Sequence, residues 1–230
     1  FVNRALGPII DRHFEHEDVT RPTQSAHLKW INYLHDNFDK EGCEILEIGS
    51  REVTGTAEFP SKLKYANYTG FDIYDGNNVN IVGDAHDLSS YIEEGKNYDL
   101  IFSSACFEHF VQPWKVATEF IHSLKLGGHV FVETHFAFSS HERPWHFFHF
   151  TDLGLKSLFP EKAGIICIES GMSNPIVARF SSEASSYLQQ KKITGMYCHT
   201  AFLGKKVKEI GRDKLSTSAK EITKGARYPT

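Results

Sequence analysis

An α/β fold, a doubly wound Rossmann-like sheet with helices on both faces, is what this sequence predicts. Three observations carry the prediction. Short runs rich in Ile, Leu, Val and Phe alternate with amphipathic or irregular stretches from Cys43 to Val207. Several of these runs end in a carboxylate or a glycine, as strands do where they turn out of a parallel sheet. A length of 230 residues with 40% hydrophobic content suits one domain with a full core. Strands separated by helices imply mostly parallel pairing with right-handed crossovers, and the last strand is expected to run antiparallel.

Residues 24–38 place Leu28, Ile31, Leu34 and Phe38 at helical spacing, which predicts an amphipathic helix closing near Gly42. Residues 43–49 (CEILEIG) read as the first strand and 57–65 as an irregular or partly helical crossover. Residues 67–75 form the second strand, 78–88 contain a short third, and 88–95 look helical. Residues 98–105 (YDLIFSSA) are the fourth strand. A helix over 112–128 follows, with Pro113 in its first turn and Gly127-Gly128 at its end. Residues 129–136 make the fifth strand, 151–162 a helix, 164–171 the sixth strand, 181–192 a polar helix and 195–207 the last strand.

This divides the chain into an N-terminal segment 1–24, a candidate lid, a domain over 25–205, and a polar tail 206–230 expected to be mobile. Phe1 in place of Met marks a trimmed terminus or a piece of something longer. No apolar run reaches the length of a membrane span, and no leader is visible. Four widely spaced cysteines without a C-x-x-C pair fit a reducing cytoplasm. A net charge of −4 argues against broad binding to nucleic acid. Nothing in the sequence fixes the oligomeric state.

The strand ends carry the chemistry. Gly49 is followed by Ser50-Arg51-Glu52-Val53-Thr54-Gly55, so neither the G-x-G-x-x-G turn nor a P-loop is present. Glu47, two residues before the glycine, would repel a pyrophosphate and suits a cationic ligand. Asp72 stands 25 residues further on, where this fold class binds a ribose diol. Asp84, beside the small Ala85, suits the amino group and flat face of adenine. An adenosine bearing positive charge and no phosphate is S-adenosyl-L-methionine. Taken alone, each acid also reads as an ordinary helix cap and Gly49 as a turn residue.

With those residues in view, the chain resembles the class I S-adenosylmethionine-dependent methyltransferases over residues 25–205. The resemblance rests on ILEIGSREVTG (45–55), YTGFDI (68–73), VGDAHDL (82–88), YDLIFSSACFEHF (98–110) and QPWKVATEFIHSLKLGGHVFVET (112–134), in the family's order. It implies that Glu47, Gly49 and Ser50 flank the methionine portion and that Asp72, with Ile73, takes the ribose. Asp84 and Ala85 would then frame the adenine, and Ser103 or Ser104 would lie near the sulfonium. The first motif has fewer glycines than is usual in the family.

Transfer to a sugar hydroxyl gains from a general base or a metal ion, and this chain has thirteen histidines. Glu108 and His109 follow the fourth strand, and His135, His141, Arg143, His146 and His149 follow the fifth. Interleaved with Phe and Trp, they read as an acceptor pocket. His109 and His146 are the candidate bases. A divalent metal held by Glu108, His109 and His146 is the less favoured reading. Methyltransferases that place a metal-binding Glu-His pair here have a carboxylate three residues earlier, where this chain has Ala105. The third reading is structural, with Glu108-His109 merely starting a helix. The segment PWHFFHFT (144–151) is similar to segments in methyltransferases of bacterial polysaccharide clusters, which implies a small polar or carbohydrate acceptor. The expectation is an O-methyltransferase. A non-catalytic scaffold or sensor of S-adenosylmethionine within a larger protein is the alternative.

Overall fold

A computed structural model describes residues 19–53, 55 and 58–211. In chain order these form α1 (Lys29–Phe38), β1 (Glu44–Ile48), α2 (Glu58–Ser61), β2 (Asn67–Asp72), β3 (Ile81–Val82), β4 (Tyr98–Ser104), α3 (Pro113–Ser123) and β5 (Leu124–His135). There follow α4 (Asp152–Ser157), β6 (Ile165–Pro175), β7 (Ala178–Arg179), β8 (Lys192–Ile193) and β9 (Tyr197–Lys206). Seven strands pair in the order β3-β2-β1-β4-β5-β9-β6, and β7 pairs with β8. Strands β1 to β5 are mutually parallel, while β9 runs antiparallel to both β5 and β6. The strand order reverses between β1 and β4, which puts the switch point of the sheet at their carboxyl ends.

Side-chain alternation along the strands separates two cores. Ile45, Leu100, Phe102, Phe131 and Leu203 face one side, where Trp30, Ile31, Leu34 and Phe38 of α1 cover them. Leu46, Ile48, Ile101, Val130, Val132 and Phe202 face the other, under Val116, Ala117 and Phe120 of α3 and Leu155 of α4. Helices thus cover both faces, as the sequence predicts. Among the described residues no helix is long and apolar enough to cross a membrane.

Several elements differ from expectation. Helix α1 starts at Lys29 rather than Gln24. The N–H groups of Thr23, Gln24 and Ser25 donate instead to the Glu169 carboxylate, and Leu28 adopts a left-handed φ of 64°. Residues 85–90 form a 3₁₀ turn capped by Asp84, not an α-helix. Helix α3 stops at Ser123, four residues before Gly127, because Leu124 is buried and already pairs with Tyr98 in the sheet. The helix expected over 151–162 breaks before Pro160, leaving α4 and a 3₁₀ turn at Glu161–Ala163. No helix forms over 181–192, where turns link β7 to β8. Those residues present no continuous apolar face that α-helix could bury. Most of the candidate lid (1–18) and of the polar tail (212–230) lies outside the described residues.

Candidate active site

The tips of β1, β2, β4 and β5 meet at the switch point. Gly49 turns the chain out of β1 with a φ of 81°. A Cβ there would come within 2.7 Å of the Cys106 sulfur, so the turn is packed against the loop after β4. Ser50 is buried. Its hydroxyl donates to Asn78 O at 2.9 Å while Asn78 Nδ2 donates to Ser50 O at 2.9 Å, which ties the β1 turn to the β2–β3 loop. Glu47 accepts the phenolic hydrogen of Tyr68, and Tyr68 Oη accepts from Asn78 Nδ2 at 2.8 Å. Burial pushes the Glu47 carboxyl up to about 7 against the pull of these hydrogen bonds.

Asp72 accepts from the Tyr74 N–H at 2.9 Å and the Arg51 N–H at 3.2 Å. The Arg51 guanidinium lies beside it and over the Tyr74 ring, and the following Ile73 is exposed. Asp84 accepts from the His86 N–H at 2.9 Å and from His86 Nδ1 at 2.6 Å, and His86 Nε2 accepts from the Gln112 N–H. Burial acts to raise the Asp84 pKa, but these His86 contacts outweigh it and hold the carboxyl below its usual range. Ala85 is buried in the core beneath it, and Ser103 is fully buried at the end of β4. The structure therefore brings Glu47, Gly49, Ser50, Asp72, Asp84 and Ser103 to one edge of the sheet. Each acid also has a protein partner there.

Beyond β4 and β5 the histidines form a continuous wall. The rings of His27 and His199 stack at 3.9 Å, and His199 reaches His135 at 5.4 Å. His135 meets His141 at 5.5 Å, His141 meets His109 at 5.0 Å and His146 at 4.5 Å, and His146 meets His149 at 4.7 Å. Two buried carboxylates stand behind the wall, Glu133 and Glu108.

Glu133 ends β5. Nδ1 of His27 lies 3.1 Å from both of its oxygens, and Ser104 Oγ donates to it at 3.2 Å. The hydrogen bond to Glu133 raises the His27 pKa above the usual histidine value, against the effect of burial. His199, stacked on it, is pushed down to about 4 by burial and is neutral. Nδ1–H of His27 is directed at the carboxylate, which leaves Nε2 with its lone pair, the arrangement of an oriented base.

Glu108 lies in the 3₁₀ turn Phe107–His109 and is fully buried. One oxygen accepts from Thr134 Oγ1 at 2.6 Å; the other lies 2.5 Å from His135 Nδ1 and 4.0 Å from the Nε2 atoms of His109 and His141. His109 Nδ1 donates to Trp145 O at 2.9 Å, so its Nε2 is unprotonated when the ring is neutral. His146 Nδ1 accepts the His141 N–H at 3.2 Å, so its proton sits on Nε2, a donor. Burial and the neighbouring imidazoles keep His146 below the usual histidine value. The nitrogens grouped with Glu108 inside 4.8 Å belong to His135 and His141 rather than to His146.

Sequence reasoning did not find the His27–Glu133 pair, the Tyr68–Asn78 support of Glu47, or the role of His199. His27 falls within a run that reads as helix, and its partner lies 106 residues away.

A methyltransferase-domain family model matches residues 14–164. No curated protein matches the sequence. Solved structures share the fold. A S-adenosylmethionine-dependent methyltransferase from Archaeoglobus fulgidus superposes with a TM-score of 0.55 at 17% identity, covering 77% of this chain and 93% of its own. The 1,6-didemethyltoxoflavin-N1-methyltransferase of Burkholderia thailandensis, solved with S-adenosylhomocysteine, gives 0.53 at 12% identity over 77% of this chain and 76% of its own. The CurJ carbon methyltransferase gives 0.51 at 14% identity over 78% of this chain, which spans 53% of its length. On the strength of the family match and the strand order, the chain belongs to the methyltransferase-domain family and carries the class I S-adenosylmethionine-dependent fold.

Proposed function

We propose that the chain transfers a methyl group from S-adenosylmethionine to an oxygen of a small polar or carbohydrate acceptor. The observation that carries the choice of oxygen is the His27–Glu133 pair beside Ser104 at the tips of β4 and β5. An amine acceptor needs only to be neutral, whereas a hydroxyl benefits from a base to take its proton.

The strand-tip residues fit the donor. Glu47 offers a carboxylate poised near neutrality to an ammonium group, Asp72 offers oxygens to a diol, and Asp84 lies partly exposed above the buried Ala85. When bound, S-adenosylmethionine supplies an electrophilic methyl group. His27 Nε2 accepts the acceptor's hydroxyl proton, and Glu133 steadies the imidazolium that results. His199 holds the His27 ring in plane by stacking. His109 lines the acceptor side through its Nε2 lone pair, and the His146 ring packs against it at 5.8 Å. The domain spans residues 25–205, preceded in the sequence by the N-terminal segment 1–24 and followed by the polar tail 206–230. A cytoplasmic location and a carbohydrate acceptor accord with the free cysteines and the aromatic-histidine wall.

Titration calorimetry with S-adenosylmethionine and S-adenosylhomocysteine, followed by a panel of hydroxylated, amine and thiol acceptors, tests the reading. Binding of both compounds with turnover on a hydroxyl is expected. Absence of binding would remove the donor, and turnover confined to amines or carbon would remove the oxygen assignment.

A further inference from the structure

We propose that Glu108, His135 and His141 form a binding site for one divalent transition metal of the zinc class. The site is separate from the His27–Glu133 pair and does not depend on which acceptor the chain methylates.

A fully buried carboxylate has to be compensated, by pairing or by a metal. Among the described residues, the charged groups within 4.0 Å of Glu108 are three imidazoles, which count as cations only when protonated. Two of them have their orientation set by the backbone: His109 Nδ1–H donates to Trp145 O and His141 Nδ1–H to Ser139 O, each at 2.9 Å. Both therefore turn an unprotonated Nε2 toward the same carboxylate oxygen. At 4.0 Å these gaps are too long for hydrogen bonds. One ligand atom each from Glu108, His135 and His141 lie within 4.8 Å of one another, a grouping that can close onto one ion with bonds of about 2.0–2.2 Å.

The remaining atoms point the same way. Glu108 Oε1 and His135 Nδ1 are buried and 2.5 Å apart, yet neither has a partner in a well-formed hydrogen bond. Oxygen Oε2 is fixed by the Thr134 hydroxyl. A carboxylate steadied by a hydroxyl, beside an imidazole anchored through its far nitrogen as His141 is, follows the outer-shell pattern of protein metal sites. Imidazole-rich donor sets select zinc, iron or cobalt over magnesium and calcium, which need oxygen. The neighbouring groups are poorer candidates. Glu133 is already engaged by His27 and Ser104, and burial raises the pKa of the Cys198 thiol, which keeps it protonated.

The test is titration of the chelator-treated full chain with Co²⁺, read by its visible absorption, followed by displacement with Zn²⁺. One Co²⁺ per chain with visible bands that Zn²⁺ abolishes is expected. Glu108→Gln and His141→Ala should each lower Zn²⁺ affinity by at least about 100-fold, and Thr134→Val by about 10–100-fold. His27→Ala should leave it unchanged. His141 lies on a loop outside the core, so His141→Ala decides the matter if Glu108→Gln fails to fold. No Co²⁺ bands, affinity indifferent to His141→Ala, or affinity lost in His27→Ala would each overturn the site.

Discussion

Arg51 Nε stands 3.6 Å from Oδ1 of Asp72, so the carboxylate at the tip of β2 already holds a guanidinium. In the resemblance to class I methyltransferases this carboxylate meets the ribose, and Arg51 occupies a stretch where glycine is usual. A partly exposed ion pair is worth about 0.2–1 kcal/mol. A diol that must displace it loses that much affinity. Arg51→Ala is therefore expected to tighten S-adenosylhomocysteine binding by about 1.4–5-fold in calorimetry. Weaker binding would make Arg51 a ligand contact instead of a competitor.

Glu47 couples the same site to pH. Its folded pKa of about 7 is raised by burial above the ordinary 4.5. The protonated form is thus favoured by folding, and the stability this group contributes is present below about 4.5 and lost as pH rises through about 7. A cationic ligand wants the ionised form. Affinity for S-adenosylmethionine should rise about tenfold from pH 6 to pH 8, with proton release on binding at pH 6. Glu47→Gln should flatten the profile. A flat profile in the unmodified protein would detach Glu47 from the ligand.

The strands and the helices α1 and α3 are legible in the sequence because each buries a regular face. Leu28, Ile31, Leu34 and Phe38 mark the first helix, and three of the four are buried. Leu28 is the exception, since it takes a left-handed turn before the helix begins. The acids at the strand tips were legible as positions but not as partners. Nothing local shows that Asp84 holds His86 on both backbone and ring, or that Arg51 leans on Asp72. His27 was hidden for a related reason. Its neighbours set a helical period, whereas its position is fixed by Glu169 and Ser173 on β6, nearly 150 residues away. Contacts that long leave no periodic trace.

The His27–Glu133 pair gives a kinetic prediction. His27→Ala should lower kcat on a hydroxyl acceptor by about 10²–10⁴-fold with S-adenosylhomocysteine affinity unchanged. A base works when neutral, and the Glu133 hydrogen bond raises the His27 pKa. The rate should therefore fall as pH drops through a value above the usual 6.5. Glu133→Gln removes the cause of the rise and should move that limb to lower pH. Should His27→Ala keep full kcat, the base role would pass to His109.

Glu169 anchors the segment that delivers His27. Its carboxylate accepts from the N–H and hydroxyl of Thr23, the N–H of Gln24, and the N–H and hydroxyl of Ser25, at 2.6–3.0 Å. Gly171 lets Pro22 approach: a Cβ there would sit 2.8 Å from the proline ring. Burial would raise the Glu169 pKa, but these donors override it and pull the carboxyl down to about 2. With the folded pKa depressed, its stabilising effect is present above the ordinary carboxylate range and lost as pH falls toward 2. Glu169→Gln keeps the shape but sets an amide N–H₂ against backbone donors. Losing charge-assisted hydrogen bonds of this kind costs about 2 kcal/mol, which corresponds to a fall in Tm of about 4–8 °C for a chain of this size. Because the pinned segment carries His27, hydrogen exchange over residues 19–28 should quicken and kcat should drop together. Faster exchange with unchanged turnover would mean that His27 reaches its working position without the Glu169 anchor.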